Sequence, residues 1–598
     1  MKHTGAQILW ECLLNEGVET VFGYPGGAIL PAYDAMLDYP IHHVLVRHEQ
    51  GAAHMADAYA RASGKVGVAI ATSGPGATNL VTGIATAQMD SSPIVCITGQ
   101  VASKFIGYDA FQETDITGIT LPITKHNYLV TDVHEIARVL REAFFIARSG
   151  RPGPVLVDIS KDAQQASMDW DAKAEHFFDD EPINFPGYRP DLRPLSKDLQ
   201  QAVEMIQSAR RPLILAGHGI LLSGAMEEVY KFAELTQTPV AMTLLGIGSF
   251  PASHPLNLGM MGMHGEAWVN HAIQESDLLL AFGMRFDDRV TGNTSTYAPN
   301  ARKIHFEIDP SEVNKNVKVD LALIGDLCQT LQQILAHLAE EDSSTSYWQT
   351  QHGEWLEHIG QHRGEGAIRD IQNLPDNGHL YAAHVINDIW RFTRGEALVV
   401  TDVGQHQMWA AQYYRQDNPN AFISSGGLGT MGFALPGAIG AKFARPEAEI
   451  WAIAGDGGFQ MTQAELSTAA QEGIKVNIAI INNGYLGMVR QWQEFFYERR
   501  YAATPMRSPD FVKIAEAHGL TGLRVTERSQ VEDALLTAQV VDGTVVIDFR
   551  VEQEDSVYPM VPAGADLHKM IRRPAAEVVA NGGDVEFSQN VLVETGRD

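Results

Sequence analysis

Apolar residues along this chain fall into two recurring rhythms. Short apolar runs over 66–72, 93–98, 450–454 and 476–481 have the length of buried strands. Between such runs, apolar residues return at helical spacing, beginning with Ala6, Ile8, Leu9 and Leu13. Strands alternating with helices predict an α/β fold built on mostly parallel sheets. Two stretches break the rhythm and read as linkers. Residues 166–195 are polar, acidic and Pro-bearing, and residues 340–378 carry Glu340-Glu341-Asp342-Ser343-Ser344 and Leu374-Pro375-Asp376-Asn377-Gly378. The chain is therefore predicted to form three domains over 1–168, 192–340 and 378–550, each a mostly parallel sheet flanked by helices. A C-terminal extension and tail follows over 551–598, its last ~30 residues acidic, weakly patterned and expected to be mobile.

The first and third regions share a unit. The run 66–72 leads into Ser73-Gly74-Pro75-Gly76, a helical stretch, and the run 93–98. The run 450–454 leads into Gly455-Asp456-Gly457-Gly458, a helical stretch, and the run 476–481. Glycines at the carboxyl ends of strands, ahead of helices, are where open α/β sheets bind ligands. Two similar halves, each with such an end, could build one site between them.

Asp456 sits in one of these turns, and Asn482-Asn483 ends the next strand. A carboxylate beside an amide oxygen is a hard-oxygen pair suited to Mg²⁺, which completes its octahedron with phosphate oxygens and water. Gly457 and Gly458 would let the backbone approach a phosphate closely. Either piece alone reads as a plain turn; both within one βαβ unit favour a metal–diphosphate site. Upstream, Ala52, Ala53, Ala56 and Ala60 form a helical stripe that Glu49 begins. Periodicity leaves two equal readings for Glu49: a buried carboxyl that holds its proton at neutral pH, or a first-turn acid complementing the helix dipole. In the middle region, Gly217-His218-Gly219 follows the run 213–216, while Asp309 and Gly325-Asp326 stand at strand ends. Acids at such ends can bind ribose hydroxyls, or simply cap helices, as Asp309-Pro310-Ser311 would.

Composition narrows the partners. Among 598 residues, 44 Lys and Arg stand against 73 Asp and Glu, a net charge of −29. That argues against nucleic acid or an anionic membrane surface as the main partner, while leaving room for small anions beside local cations. Cys12, Cys96 and Cys328 are too few and too scattered for a disulfide framework or a zinc site, and are expected to be core thiols in a reducing compartment. No apolar run reaches membrane-spanning length and the N-terminus lacks a signal-peptide pattern, so a cytoplasmic protein is expected.

The order Gly455-Asp456-Gly457, then Asn482-Asn483, resembles the thiamine-diphosphate motif of the pyruvate-decarboxylase-like superfamily. Longer signatures are Phe22-Gly23-Tyr24-Pro25-Gly26-Gly27-Ala28, Thr72-Ser73-Gly74-Pro75-Gly76-Ala77-Thr78-Asn79 and Asp109-Ala110-Phe111-Gln112-Glu113. Further ones are Gly283-Met284-Arg285-Phe286-Asp287-Asp288-Arg289, Val403-Gly404-Gln405-His406-Gln407-Met408-Trp409 and Met488-Val489-Arg490-Gln491-Trp492. Over residues 3–570 the chain resembles the catalytic large subunits of the acetohydroxyacid synthase (acetolactate synthase) family.

That resemblance implies thiamine diphosphate, Mg²⁺ and FAD as cofactors. Asp456, the Asn483 side chain and the Tyr485 carbonyl would hold Mg²⁺. Gln405 and His406, with Val403, Gly404, Gly455, Gly457 and Gly458, would meet the diphosphate. Met431, in Gly429-Thr430-Met431-Gly432, would hold the cofactor bent. Glu49, in Arg47-His48-Glu49-Gln50-Gly51-Ala52, would donate a proton to the cofactor's aminopyrimidine N1′. Tyr24, Gly26 and Gly27 would approach the thiazolium from a second subunit. Phe111, Gln112 and Lys161 would line the substrate side, and Trp492 would favour the second 2-ketoacid, with Met488 and Val489 nearby. Without the resemblance, Met488 and Trp492 read as helix core at i, i+4 spacing. FAD would be contacted by Arg151, by 264–285 including His264, Gly283 and Arg285, and by 307–326 including Glu307, Asp309 and Asp326, taking no net redox part.

The implied reaction decarboxylates pyruvate and joins the two-carbon unit to a second pyruvate, giving 2-acetolactate, or to 2-ketobutyrate, giving 2-aceto-2-hydroxybutyrate. The implied assembly is a homodimer or homotetramer with active sites at the subunit interface, compatible with a small regulatory subunit. One departure is Ala102, where many members have Pro. His42-His43 is similar to the histidine pair of related decarboxylases but precedes Glu49, and is expected at the surface. The rivals are a flavin-dependent pyruvate oxidase, against which the 109–113 and 488–492 motifs speak, and a non-catalytic regulatory paralogue, which would be expected to lose Glu49, Asp456 or Asn483.

Overall fold

The computed structural model describes residues 2–170, 185–340, 344–366 and 379–573, with Ile183 and Leu374 besides. Parts of both predicted linkers, and the tail beyond residue 573, lie outside the described residues.

Among the described residues stand three six-stranded sheets, parallel throughout, and a two-stranded antiparallel ribbon joining Lys2–Thr4 to Ser167–Asp169. The N-terminal sheet uses Thr20–Gly23, His42–Leu45, Gly67–Ala71, Ile94–Gln100, His126–Val130 and Val155–Ser160 in the spatial order 2-1-3-4-6-5. The C-terminal sheet uses Leu398–Thr401, Phe422–Ser424, Ile450–Gly455, Asn477–Asn482, Thr521–Val525 and Val545–Arg550 in the same order. The likeness seen in one βαβ unit therefore extends to whole sheets. The central sheet uses Pro212–Ala216, Val240–Met242, Asn257–Met260, Leu278–Phe282, Arg302–Glu307 and Leu321–Ile324 in the order 3-2-1-4-5-6, the order of dinucleotide-binding folds. Central strands such as Ile94–Gln100 and Leu278–Phe282 are buried throughout, as sheets covered on both faces require.

Helix Glu49–Ser63 is buried on nearly every side, Glu49 and Gly51 through Ala62 included, instead of along one alanine stripe. The reason is a second covering layer: helix Ala434–Ala444 of the C-terminal domain packs against it within the same chain. A Cβ on Gly440 would stand 2.1 Å from the Met55 carbonyl oxygen, so the two helices meet backbone to backbone. One hydrophobic core thus runs through both matching domains, from Phe22 and Ala56 to Leu398, Ile439 and Phe459.

Two expectations fail. Within the supposed linker 340–378, Thr345–Gly366 is a helix whose Trp348, Trp355 and Ile359 are buried in the central domain's cores. Spacings of seven and four place them on one face, but polar residues dilute the pattern. His43 is not a plain surface residue. It is half-buried, its Nε2 lies 2.9 Å from the Tyr33 hydroxyl, and burial pushes its imidazole down to about 4. His42 is exposed, as expected, and pairs with Glu472 at 2.9 Å. Cys12 and Cys96 are buried and Cys328 is half-buried. The extension after residue 550 buries Val557 in the C-terminal core and Val561 and Leu567 in the central one. Among the described residues no helix is long and apolar enough to cross a membrane.

Candidate active site

Parallel strands deliver their carboxyl ends to one edge of a sheet, and the strand order reverses between strands 1 and 3 of the C-terminal domain. A crevice opens at such a reversal. Strand Leu398–Thr401 runs into Asp402-Val403-Gly404, Ile450–Gly455 into Asp456, and Asn477–Asn482 into Asn483. Gly455 is in register with Ile481, which sets Asp456 and the Asn482-Asn483 pair side by side. A pocket of about 60 Å³ here is lined by Asp456, Asn483, Tyr485, His406 and Gly404, together with Gly455, Gly457 and Gly458.

Its chemistry suits a cation and an anion together. Asp456 is buried, its Oδ2 accepts from the Ser508 hydroxyl at 2.7 Å, and burial raises its carboxyl to about 6. A bound cation would offset that desolvation. Asn483 Oδ1 accepts from the Tyr485 N–H at 3.1 Å. The buried His406 Nε2 has no hydrogen-bond partner among the described residues, and burial holds the ring neutral with a value of about 3. An orphaned polar atom on a pocket-lining residue calls for an explanation such as a bound ligand, and a neutral imidazole N–H can donate to a phosphate oxygen.

Two of the residues lining this pocket also meet groups of the chain itself. Gln405 lines it while its Oε1 accepts from Asn483 Nδ2 at 3.2 Å and its Nε2 donates to Gln491 Oε1 at 2.9 Å and to the Asp555 carbonyl at 3.1 Å. It orients the Asn483 amide. The bareness of Gly458 serves a carboxylate of the chain itself, because a Cβ there would meet Asp402 Oδ1 at 2.3 Å. At Gly457 it would meet Leu486 at 2.9 Å. Asp402, which sequence reasoning missed, accepts from the backbone N–H groups of Val403, Gly432 and Ala434. It thereby fixes the turn carrying Gly429 and Met431. An aspartate closing a strand two residues ahead of a glycine, much as Asp456 does beside Gly457, was the available signal.

The N-terminal domain gathers the other predicted residues at its own carboxyl edge. Tyr24, Gly26 and Gly27 follow strand 1, Glu49 opens the helix after strand 2, Gly74 and Gly76 follow strand 3, and Lys161 opens the helix after strand 6. Glu49 is buried, its Oε2 accepts from Asn79 Nδ2 at 2.9 Å, and a Cβ on Gly76 would come within 3.1 Å of its Oε1. Gly74 (φ 58) allows the Gln112 backbone to pack on it, and Gln112 holds an uncommon φ of 60. Glu465 of the C-terminal domain accepts from the backbone N–H of Arg47 at 3.1 Å and of His48 at 3.0 Å, anchoring the entry to the Glu49 helix. Asn79 and Glu465 were not singled out from the sequence, since both act through contacts distant along the chain.

None of Glu49, Tyr24, Gly26, Gly27, Phe111, Gln112 and Lys161 lines the Asp456 pocket or the large cleft beside it. Phe111 is 88% and Tyr24 41% exposed. Within one chain these residues therefore form a group apart from the Asp456 pocket and the cleft.

The cleft, about 1350 Å³, shares Val403, Gly404, Met431, Met488 and Val489 with the Asp456 pocket. Trp492 lines it too, with the Arg289 guanidinium 5.8 Å from its ring centroid, so Met488 and Trp492 face a cavity instead of a closed core. The central sheet supplies His264, Gly283, Arg285, Glu307 and Asp326, and the N-terminal domain supplies Arg151. Asp309 does not line the cleft. Its carboxylate caps the following turn at Ser311 and pairs with Arg151 at 3.3 Å, the capping alternative.

Comparison with known proteins agrees with this layout. Three family models match: Thiamine pyrophosphate enzyme N-terminal TPP binding domain over residues 3–119, central domain over 199–334, and C-terminal TPP binding domain over 402–549. The chain is 48% identical over 571 residues to an acetolactate synthase of Mycobacterium bovis, covering 94% of this chain and 90% of that one. It is 48% identical over 572 residues to an acetolactate synthase large subunit of Corynebacterium glutamicum, covering 94% and 89%. A probable acetolactate synthase large subunit of Methanococcus aeolicus is 44% identical over 575 residues, covering 95% of each. The chain belongs to the acetolactate synthase family.

Acetolactate synthases of this family are thiamine-pyrophosphate-dependent enzymes, which removes the non-catalytic reading. The acetolactate synthase fold accounts for the two matching sheets as its paired cofactor-binding domains and for the central domain between them. The residues present fit the diphosphate and its metal: a buried acid, an oriented amide and an unpartnered imidazole share one pocket.

Proposed function

We propose that the chain decarboxylates pyruvate and joins the two-carbon unit to a second pyruvate or to 2-ketobutyrate, giving 2-acetolactate or 2-aceto-2-hydroxybutyrate. The observation that carries this reading is the convergence of Asp456, Asn483 and the orphaned His406 Nε2 on one pocket that opens beside Met488 and Trp492. Bound thiamine diphosphate supplies the electron sink for decarboxylation. Asp456, the Asn483 side chain and the Tyr485 carbonyl hold its Mg²⁺, and His406 donates to the diphosphate beside Gly404 and Gly455. Asp402 fixes the Gly429–Met431 turn that shapes the seat. Glu49, oriented by Asn79, would pass a proton between its carboxyl and the aminopyrimidine N1′. Lys161 and Arg285 attract the 2-ketoacid carboxylates despite the net negative charge. Arg151, His264, Gly283, Arg285, Glu307 and Asp326 hold FAD in the large cleft, and Asp309 contributes by steadying Arg151.

A product assay with pyruvate, 2-ketobutyrate, thiamine diphosphate, Mg²⁺ and FAD tests the reaction. Acetolactate and acetohydroxybutyrate are expected, whereas acetaldehyde or acetate as the main product would favour a decarboxylase or an oxidase. In the same assay Trp492→Leu is expected to lower the share of the 2-ketobutyrate product about tenfold, the scale of one apolar wall contact. An unchanged product ratio would take that role from Trp492.

We further propose a homodimer in which the Glu49 half-site of one subunit meets the Asp456 half-site of the other. Supporting this, Phe105, Tyr108, Phe111, Ile119 and Leu121, all within one short segment of the N-terminal domain, are exposed. Glu49→Gln and Asp456→Ala chains, inactive alone, are expected to regain about a quarter of wild-type activity after subunit exchange, because only hybrid dimers restore one intact site. No regain on mixing, with exchange verified, would exclude a shared site. A tetramer of such dimers is compatible with this arrangement. Because relatives are named large subunits, we also propose a small regulatory subunit as partner. The buried thiols fit a cytoplasmic location.

A further inference from the structure

We propose that Glu275, His358 and His362 form a binding site for a divalent transition metal of the zinc class, separate from the Mg²⁺ seat at Asp456. The site lies on the outer face of the central domain. Helix Ala267–Glu275 packs there against helix Thr345–Gly366. His358 and His362 are one turn apart and so project from one side of their helix. Glu275 closes the facing helix. The ligand atoms of the three residues all lie within 4.8 Å of one another, and His358 Nε2 is already 2.5 Å from Glu275 Oε2.

The bland alternative is an ordinary surface His–Glu pair, which contributes little to stability. Three features go beyond it. A second imidazole sits one turn further on, with its ring centroid 4.8 Å from that of His358; two histidines at i, i+4 are the helical spacing that chelates zinc. Both rings are also backed: His358 stacks on Trp355 at 5.7 Å and 19°, and His362 on His271 at 5.7 Å and 16°. Finally, the helix carrying them is anchored, since Trp355 is buried with its indole N–H on the Pro212 carbonyl at 3.0 Å and Ile359 is buried beside it. Stacked rings on an anchored helix lose little freedom when a metal arrives, which is the condition for a preorganised site.

Donor chemistry sets the class. Two imidazoles and one carboxylate suit Zn²⁺, Ni²⁺ or Cu²⁺, whereas Mg²⁺ prefers oxygen donors alone. Tetrahedral zinc places its donors about 3.4 Å apart, which small side-chain rotations from the present spacing would reach. Water would fill the remaining position. A metal here would staple the Thr345–Gly366 helix, the last described element before the C-terminal domain, to the sheet-flanking helix that ends at Glu275.

Metal-stripped holoprotein, reloaded with thiamine diphosphate, FAD and excess Mg²⁺, is equilibrated with Zn²⁺ and its metal content counted. One zinc per chain is expected in excess of that bound by the His358→Gln/His362→Gln double variant. Glu275→Gln is expected to weaken binding about tenfold. Both changes lie at partly exposed positions, and circular dichroism without zinc checks that the variants fold. As an independent readout, one equivalent of Cu²⁺ should give an electron paramagnetic resonance spectrum with splitting from two nitrogens, lost in the double variant. Equal zinc content in wild type and double variant, or a Cu²⁺ spectrum that the substitutions leave unchanged, would overturn the proposal.

Discussion

Replacing Asp456 by alanine is expected to abolish Mg²⁺-dependent turnover, with activity at saturating cofactor falling about 10³-fold or more. Asp456 is the one carboxylate of the proposed donor set; Asn483 and the Tyr485 carbonyl are neutral. Without it a dication would sit in a buried pocket facing only dipoles and the cofactor's own phosphates. Mg²⁺ titration of the variant by calorimetry should show affinity reduced more than about 100-fold. The fold should survive, because burial already disfavours the charged form of this carboxyl and raises it to about 6. Its removal relieves a desolvated group, so the thermal midpoint without metal should hold or rise. Ser508→Ala, which removes the hydroxyl 2.7 Å from Asp456 Oδ2, should weaken metal binding by only about tenfold. An Asp456→Ala chain with intact Mg²⁺-dependent activity would place the metal elsewhere.

Much of this site was legible because it rests on local order along the chain. A glycine turn with an acid at one strand end, and asparagines at the next, become neighbours whenever the two strands are adjacent, and the register of Gly455 with Ile481 makes them so. The strand order itself was not legible. Pairing of Leu398–Thr401 with Ile450–Gly455 is a tertiary choice that no local pattern encodes. The same limit hid Glu465 and Asp402. Each is a buried acid whose meaning lies in backbone N–H groups remote or newly turned in space, and in the sequence each looks like an ordinary helix-terminal or strand-end residue. Gly458 shows the converse case. Its need for a bare Cα was visible, but the atom filling that room belongs to Asp402. Thr345–Gly366 was misread because its buried apolar anchors Trp348, Trp355 and Ile359 are spread along a polar helix of 22 residues.

Glu49→Gln is expected to slow exchange of the bound cofactor's thiazolium C2 proton by about 10² to 10⁴-fold, the range of a lost general acid–base, and turnover with it. The substitution is close to isosteric. The glutamine Oε1 can still accept from Asn79 Nδ2, and the Arg47 and His48 N–H bonds to Glu465 are untouched. What is lost is the ability to give up and regain a proton at the oxygen proposed to meet N1′. Thiamine diphosphate affinity should therefore change only a few-fold, since the proposed diphosphate and metal contacts lie on the other half-site. The split between unchanged binding and lost exchange is the informative part. A residue that merely packs the helix start would lower affinity, stability or both, and leave exchange on the remaining bound cofactor intact. Asn79→Ala supplies the graded case: it frees the Glu49 carboxylate without removing it, and exchange should fall by about tenfold, with the effect growing in proportion to loss of orientation. Exchange at the wild-type rate in Glu49→Gln would mean that the proton reaches the cofactor by another route, and that the buried Glu49 carboxylate beside Asn79 serves the helix alone.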